Sequence, residues 1–234
     1  MSEAPVVPEP TRIVAIRHGE TAWNAETRMQ GQLDVPLNDV GRWQAARLAA
    51  ALADERFDAI WSSDLSRALA TAEAVAQVRG AQVRTDPGLR ERCFGIFQGW
   101  TFDEVQARWP EGSLRWKKRE PDFAPEGAES LVDFSARCVA AVERIALAHA
   151  GQSIAVVCHG GVLDCLYRAA ARVSLQQPRS WVLGNAAINR LLHTPQGFTL
   201  VGWNDCAHLE AAPLDEADEG EGRHYAVDRM GHAA

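Results

Sequence analysis

The sequence predicts an α/β fold, a three-layer αβα sandwich around a mostly parallel central sheet. Two observations carry this. Short apolar runs of strand length alternate with longer segments of helical periodicity, and no linker, repeat or low-complexity stretch interrupts them between residues 11 and 210. One domain over 11–210 is the economical division. Residues 1–10 hold three prolines and two glutamates and read as a flexible tail. Residues 211–234 contain "DEADEGEG" and read as an acidic, disordered tail, because so charged a run cannot bury a core.

The elements follow in order. Ile13–Ile16 is a short buried strand, and directly after it stand Arg17, His18, Gly19 and Glu20. Trp43, Leu48 and Leu52 give Val40–Leu52 a helical stripe, with Asn38 or Asp39 as its cap. Phe57–Trp61 is the second strand, and the Ala-rich run Leu65–Val78 the next helix. Thr101-Phe102-Asp103-Glu104 is a capping box for a helix that should stop near Pro110. Ser130 opens a longer helix to about His149. Strand Ser153–Val157 leads into "CHGG" at a helix start, and Asn189–His193 and Phe198–Trp203 close the sheet.

Bulk properties exclude several functions. A net charge of −7 speaks against a nucleic-acid surface, which needs clustered Lys and Arg. No apolar run approaches the ~18 residues of a membrane span, and the N-terminus lacks a secretory pattern. Five cysteines without CxxC or zinc-ligand spacing imply reduced thiols, hence a cytoplasmic protein with neither nucleic-acid nor membrane partners.

The chemistry gathers at strand ends, where open α/β sheets bind ligands. The first strand delivers Arg17 and His18, the second leads to Arg67 in "SSDLSRA", and the third delivers His159 before Gly160 and Gly161. Taken singly, each is most simply a surface turn, a helix-start residue or a solvated charge. Together, two arginines and two histidines beside helix N-termini make a phosphoryl-binding set. No P-loop, HExxH or GxSxG is present. Cys138 and Arg144 match the Cys-x5-Arg spacing of cysteine phosphatases, but the intervening "VAAVE" is helix interior without glycine. Cys158 suits core packing better than catalysis.

Five segments, "RHGETAWN", "GQLDVPLNDVGRWQA", "SSDLSRALATA", "LRERCFGIFQG" and "CHGG", resemble in order the histidine phosphatase superfamily, also called the phosphoglycerate mutase-like family. The resemblance spans roughly Arg12 to Trp203 and extends to the fold. It implies that His18 accepts the phosphoryl group and that Glu91 donates the proton. It implies that Arg17, Arg67 and His159 bind the phosphoryl oxygens, with Asn24, Gln30, Gly31 and Gly160 in the substrate site. Glu20 and Asp64 would be structural or would orient the cations, and Gly19 would let the backbone approach the phosphate. No metal and no cofactor are implied. The partner is a small phosphorylated metabolite, and the oligomeric state stays open, a homodimer among the alternatives.

The family contains phosphatases and cofactor-dependent mutases. Gln30 resembles the phosphatase branch, and only 68 positions separate Glu91 from His159, less than in glycolytic mutases. The expectation is therefore a phosphomonoester phosphatase. A phosphoglycerate mutase using 2,3-bisphosphoglycerate is the alternative, with the basic run Lys117–Lys118–Arg119 as its second anion site. A non-catalytic phosphate-binding module is a further one. Phe94, Phe97, Trp100 and Trp116 either line the pocket mouth or form core.

Overall fold

In the computed structural model, residues 9–78 and 80–210 are described; the tail readings at 1–8 and 211–234 lie outside them. Strand β1 spans Thr11–Arg17, one residue longer at its C-terminal end than its apolar run, and is followed by the single helical turn α1 (Ala22–Ala25). Helix α2 (Asp39–Ala51) is capped by Asn38, whose side chain accepts from the Gly41 amide at 2.7 Å. Then come β2 (Ala59–Ser62), α3 (Ser66–Gln77) and β3 (Val83–Thr85). Helices α4 (Phe102–Arg108), α5 (Pro110–Lys117) and α6 (Leu131–Ala148) precede β4 (Ser153–Cys158). Helix α7 (Gly160–Ala171) leads to β5 (Ile188–Thr194) and β6 (Gly197–Asp205).

The six strands form one sheet in the order β3-β2-β4-β1-β5-β6. Pairs β2–β3, β2–β4 and β1–β4 are parallel, while β5 and β6 add antiparallel strands at one edge. Period-2 alternation in β1 and β4 divides the core. Ile13, Ala15, Ile154 and Val156 pack with α6 and α7, whereas Val14, Ile16, Ala155 and Val157 pack with α2 and α3. These strands are apolar on both faces because helices cover both.

A third cluster holds Met29, Phe97 and Val105, with Phe94, Trp100, Phe102, Trp109, Trp116 and Phe123 packed on them. Apart from Met29, it belongs to the segment between Glu91 and α6. Phe97 is buried in this small unit, and Phe94, Trp100 and Trp116 pack on it half-buried.

Three elements depart from the sequence reading. Pro110 ends α4 but also occupies the first turn of α5, where a missing N–H costs nothing, so the chain is helical up to Lys117, the first residue of the basic run. Strand β3, three residues on the sheet edge, has too little pattern to be seen. Trp43 lies on the outer face of α2, 45% exposed, rather than in the core. Among the described residues no helix is long and apolar enough to cross a membrane.

Candidate active site

β2, β4 and β1 are adjacent and parallel, so their C-terminal ends open on one edge. Backbone bonds carry the register past the strands: the His18 amide donates to Cys158 O and the Ser63 amide to Val157 O, both at 3.0 Å. His18 and His159 thereby meet, with ring centroids 5.1 Å apart at 60°. His18 Nδ1 lies 2.6 Å from the Gly19 carbonyl, which can only accept. The proton of a neutral ring is thus on Nδ1, and Nε2 keeps its lone pair. Burial, reinforced by the charges of Arg67 and Arg17, holds the His18 pKa well below the ordinary value. The imidazole is neutral at physiological pH and so nucleophilic.

Arg67, on the first turn of α3, is fixed by two carbonyls: Nη2 donates to Gly31 O at 2.7 Å and Nη1 to Leu33 O at 2.8 Å. Arg17 Nη1 donates to Leu183 O. His159 Nε2 sits 2.9 Å from Ser63 Oγ. Each side chain keeps one more nitrogen: Arg17 Nε, Arg67 Nε and His159 Nδ1 are buried without a hydrogen-bond partner among the described residues. An orphaned buried polar atom costs about 1–3 kcal/mol. Three of them on neighbouring side chains mark a place where an oxyanion would supply the acceptors. Burial, opposed by the charge of Glu91, lowers Arg17 and Arg67 to about 10, so both stay cationic at neutral pH.

Glu91, half-buried, is seated by backbone. Its Oε2 accepts from Gly161 N and its Oε1 from Arg92 N, both at 2.9 Å. Arg92 anchors this segment, donating to Glu129 O and Phe123 O, with its guanidinium carbon 4.1 Å from the Trp116 ring centroid. Asn24 completes the capping box that opens α1: its Oδ1 accepts from the Thr21 amide at 3.1 Å, leaving Nδ2 as the donor end. Gln30 Oε1 accepts from Thr21 Oγ1 at 2.9 Å. Gly31 has φ +55° and turns its carbonyl to Arg67. Gly160 opens α7, and a β-carbon there would lie 3.5 Å from Arg17 Nε. Arg17, His18, Arg67, His159 and Gly160 thus lie at or just beyond the ends of β1, β2 and β4, Glu91 is tied there through Gly161 and Gly31 through Arg67, and Asn24 and Gln30 meet through Thr21.

Several of the remaining residues have structural partners. A β-carbon at Gly19 would fall 2.5 Å from Gly41 O, so packing alone requires a glycine there. Asp64 takes the structural one of its two expected roles, pairing with Arg90 through two bonds of 2.7 and 2.6 Å. Glu20 Oε1 accepts from the cap residue Asn38 at 2.8 Å. The Cys158 thiol is wholly buried and its pKa pushed up by that burial, so it is packing, not nucleophile. Cys138 and Arg144 both lie inside α6.

Other contributors carried no sequence signal. Ser63 meets His159 across 96 positions. Asn185 Nδ2 donates to His18 O at 3.0 Å, and the amide of Ala186, at φ +55°, donates to Arg17 O and His18 O at 3.1 and 3.2 Å. Arg179 adds a further cation whose charge is felt by Arg17.

Fold and site define the class: an α/β protein whose strand ends present a neutral imidazole among buried cationic donors, as phosphoryl binding requires. The chain belongs to the histidine phosphatase superfamily (branch 1), whose family profile matches residues 13–206. It is 41% identical over 201 residues to phosphoglycerate mutase-like protein 4 of Arabidopsis thaliana, covering 85% of this chain and 86% of the relative. It is 37% identical to a metal-independent phosphoserine phosphatase of the same plant, covering 87% and 85%. The solved structure of Bacillus stearothermophilus YhfR superimposes with a TM-score of 0.78 at 33% identity, covering 86% of this chain and all of that one.

Proposed function

We propose that the protein is a phosphomonoester hydrolase acting through a phosphohistidine on His18. The observation that carries this is the trio of unpartnered buried nitrogens, Arg17 Nε, Arg67 Nε and His159 Nδ1, beside the free Nε2 of a neutral His18. His18 Nε2 attacks phosphorus and the ester P–O bond breaks, while the fixed donors stabilise charge on the equatorial oxygens. The departing alkoxide takes a proton from Glu91. A water then attacks the phosphohistidine, gives its proton to Glu91, and leaves as part of inorganic phosphate with the P–N bond broken. The donor set is cationic and imidazole nitrogen rather than a carboxylate cluster, so the reaction runs without a divalent ion. The substrate is a small phosphorylated metabolite, and the reduced thiols fit a cytoplasmic setting.

A second reading is mutase chemistry, favoured by the mutase-like name of the relative at 41% identity. Rapid quench with a labelled monoester tests the common step. An acid-labile, base-stable adduct should form in the wild type and be absent in His18→Ala. An unaltered adduct in that variant overturns the assignment.

A further inference from the structure

We propose that Ser63 is a positioning residue that sets which nitrogen of His159 carries the proton, and so makes His159 a donor to the phosphoryl group. This rests on the hydrolase reading for the role of His159 but not for the proton's place.

His159 is fully buried, and burial above all, with the charges of Arg67 and Arg17, keeps its ring neutral. A neutral imidazole has one N–H, so it can donate from Nδ1 or from Nε2 but not from both. Nε2 lies 2.9 Å from Ser63 Oγ, and Nδ1 is the nitrogen without a partner. If Nε2 held the proton, Nδ1 would turn a lone pair toward the same anion that Arg17 Nε and Arg67 Nε are placed to meet. A phosphoryl oxygen would then face repulsion from one of its three partners.

Ser63 is built to prevent this. Its amide donates to Val157 O at 3.0 Å and its carbonyl accepts from Ser62 Oγ at 2.8 Å, so the backbone is held on both sides. Its Oγ accepts from the Leu65 amide at 3.3 Å, and His159 Nε2 is its only other partner among the described residues, so that nitrogen is the one acceptor within reach of the hydroxyl proton. The chain Leu65 N–H to Ser63 O–H to His159 Nε2 fixes the Nδ1–H form before any substrate arrives. Such a hydroxyl acts through the histidine it orients; outer partners of metal-bound histidines cost on the order of 10–10² when lost, and the same order is expected here.

Nitrogen-15 spectra of the histidine-labelled protein, with and without orthovanadate, read the tautomer directly. His159 should show a protonated Nδ1 in both states; a protonated Nε2 overturns the inference without needing any variant to fold. Kinetics give the second arm. Ser63→Ala should lower kcat by ~10–10² in the wild-type background and have no further effect once His159→Ala is present. Unchanged activity in Ser63→Ala, or an equal loss in both backgrounds, means that Ser63 does not act through His159. Persistence of the phosphoenzyme in His18→Ala would sink the hydrolase reading alone, since the tautomer is measured independently.

Discussion

The amide of Gly161 donates to Glu91 Oε2 at 2.9 Å, and no β-carbon fits between the two residues. One built at 161 would fall 2.1 Å from Glu91 Oε1 and 3.1 Å from the Phe134 ring. The second glycine of "CHGG" is thus the floor on which the proton donor rests. The carboxylate ends a flexible side chain, so it can move where a backbone could not.

Gly161→Ala should therefore fold, yet displace Glu91. For an alkyl phosphate, whose leaving group needs a proton, kcat/KM should drop by on the order of 10². For p-nitrophenyl phosphate, whose leaving group needs none, kcat/KM should change far less. Equal losses on the two esters would show that the methyl group disturbs phosphate binding and not proton transfer.

The strand-end chemistry was legible because it is local. Arg17 and His18 follow an apolar run, Arg67 opens an Ala-rich helix, and His159 precedes two glycines, so each motif announces its own element. What joins the motifs is not local. The contact of Ser63 with His159, of Asn185 with the His18 carbonyl, and of Arg67 with Gly31 and Leu33 all span at least 34 positions. No periodicity reports them. Two further features have the same origin: Pro110 both stops and starts a helix, and Gly19 packs on Gly41, 22 residues away in sequence.

Arg67 performs three tasks with one planar head, two carbonyl bonds and one free Nε. Lysine has a single ammonium on a flexible stem and cannot repeat that geometry. Arg67→Lys should lower kcat by ~10²–10³, as losses of preorganised donors do. It should also destabilise the fold by about 1–3 kcal/mol, because the buried Gly31 carbonyl loses its partner. Steady-state kinetics and urea unfolding check both. A variant with altered KM alone would show that Arg67 binds ground state and transition state equally.

His18 and His159 both have pKa values held well below the ordinary ~6.5, principally by burial. The unfolded chain takes up protons as pH falls through that ordinary value, while the folded chain does not. Protons then favour unfolding, and stability falls as pH drops from ~6.5 toward the folded-state values, by about 1.4 kcal/mol per pH unit for each such group. Urea midpoints between pH 7.5 and 5.5 should decline, and the slope in His18→Asn should be shallower by one group. An unchanged slope would mean that folded His18 takes up its proton as readily as the unfolded chain.

Water, rather than a second hydroxyl of the substrate, should be the acceptor. Mutase action needs a lid that guards the phosphohistidine and a second anion site for the reorienting monophosphate. The basic run supplies little of either. Arg119 is taken up by Asp164 Oδ2 and Leu175 O, both at 2.7 Å, and Lys117 donates to Gln106 Oε1. Helix α5 is further pinned through Trp116, which packs 5.2 Å from Phe94 and 6.0 Å from Phe97 between ring centroids. Moving it as a lid would expose the aromatic cluster and break the Arg119–Asp164 pair, where Asp164 is only 4% exposed. Given 3-phosphoglycerate, the protein should release inorganic phosphate faster than it forms 2-phosphoglycerate, and 2,3-bisphosphoglycerate should not stimulate it. If 2-phosphoglycerate appears much faster than phosphate, and only with the bisphosphate present, the chain is a mutase and α5 moves after all.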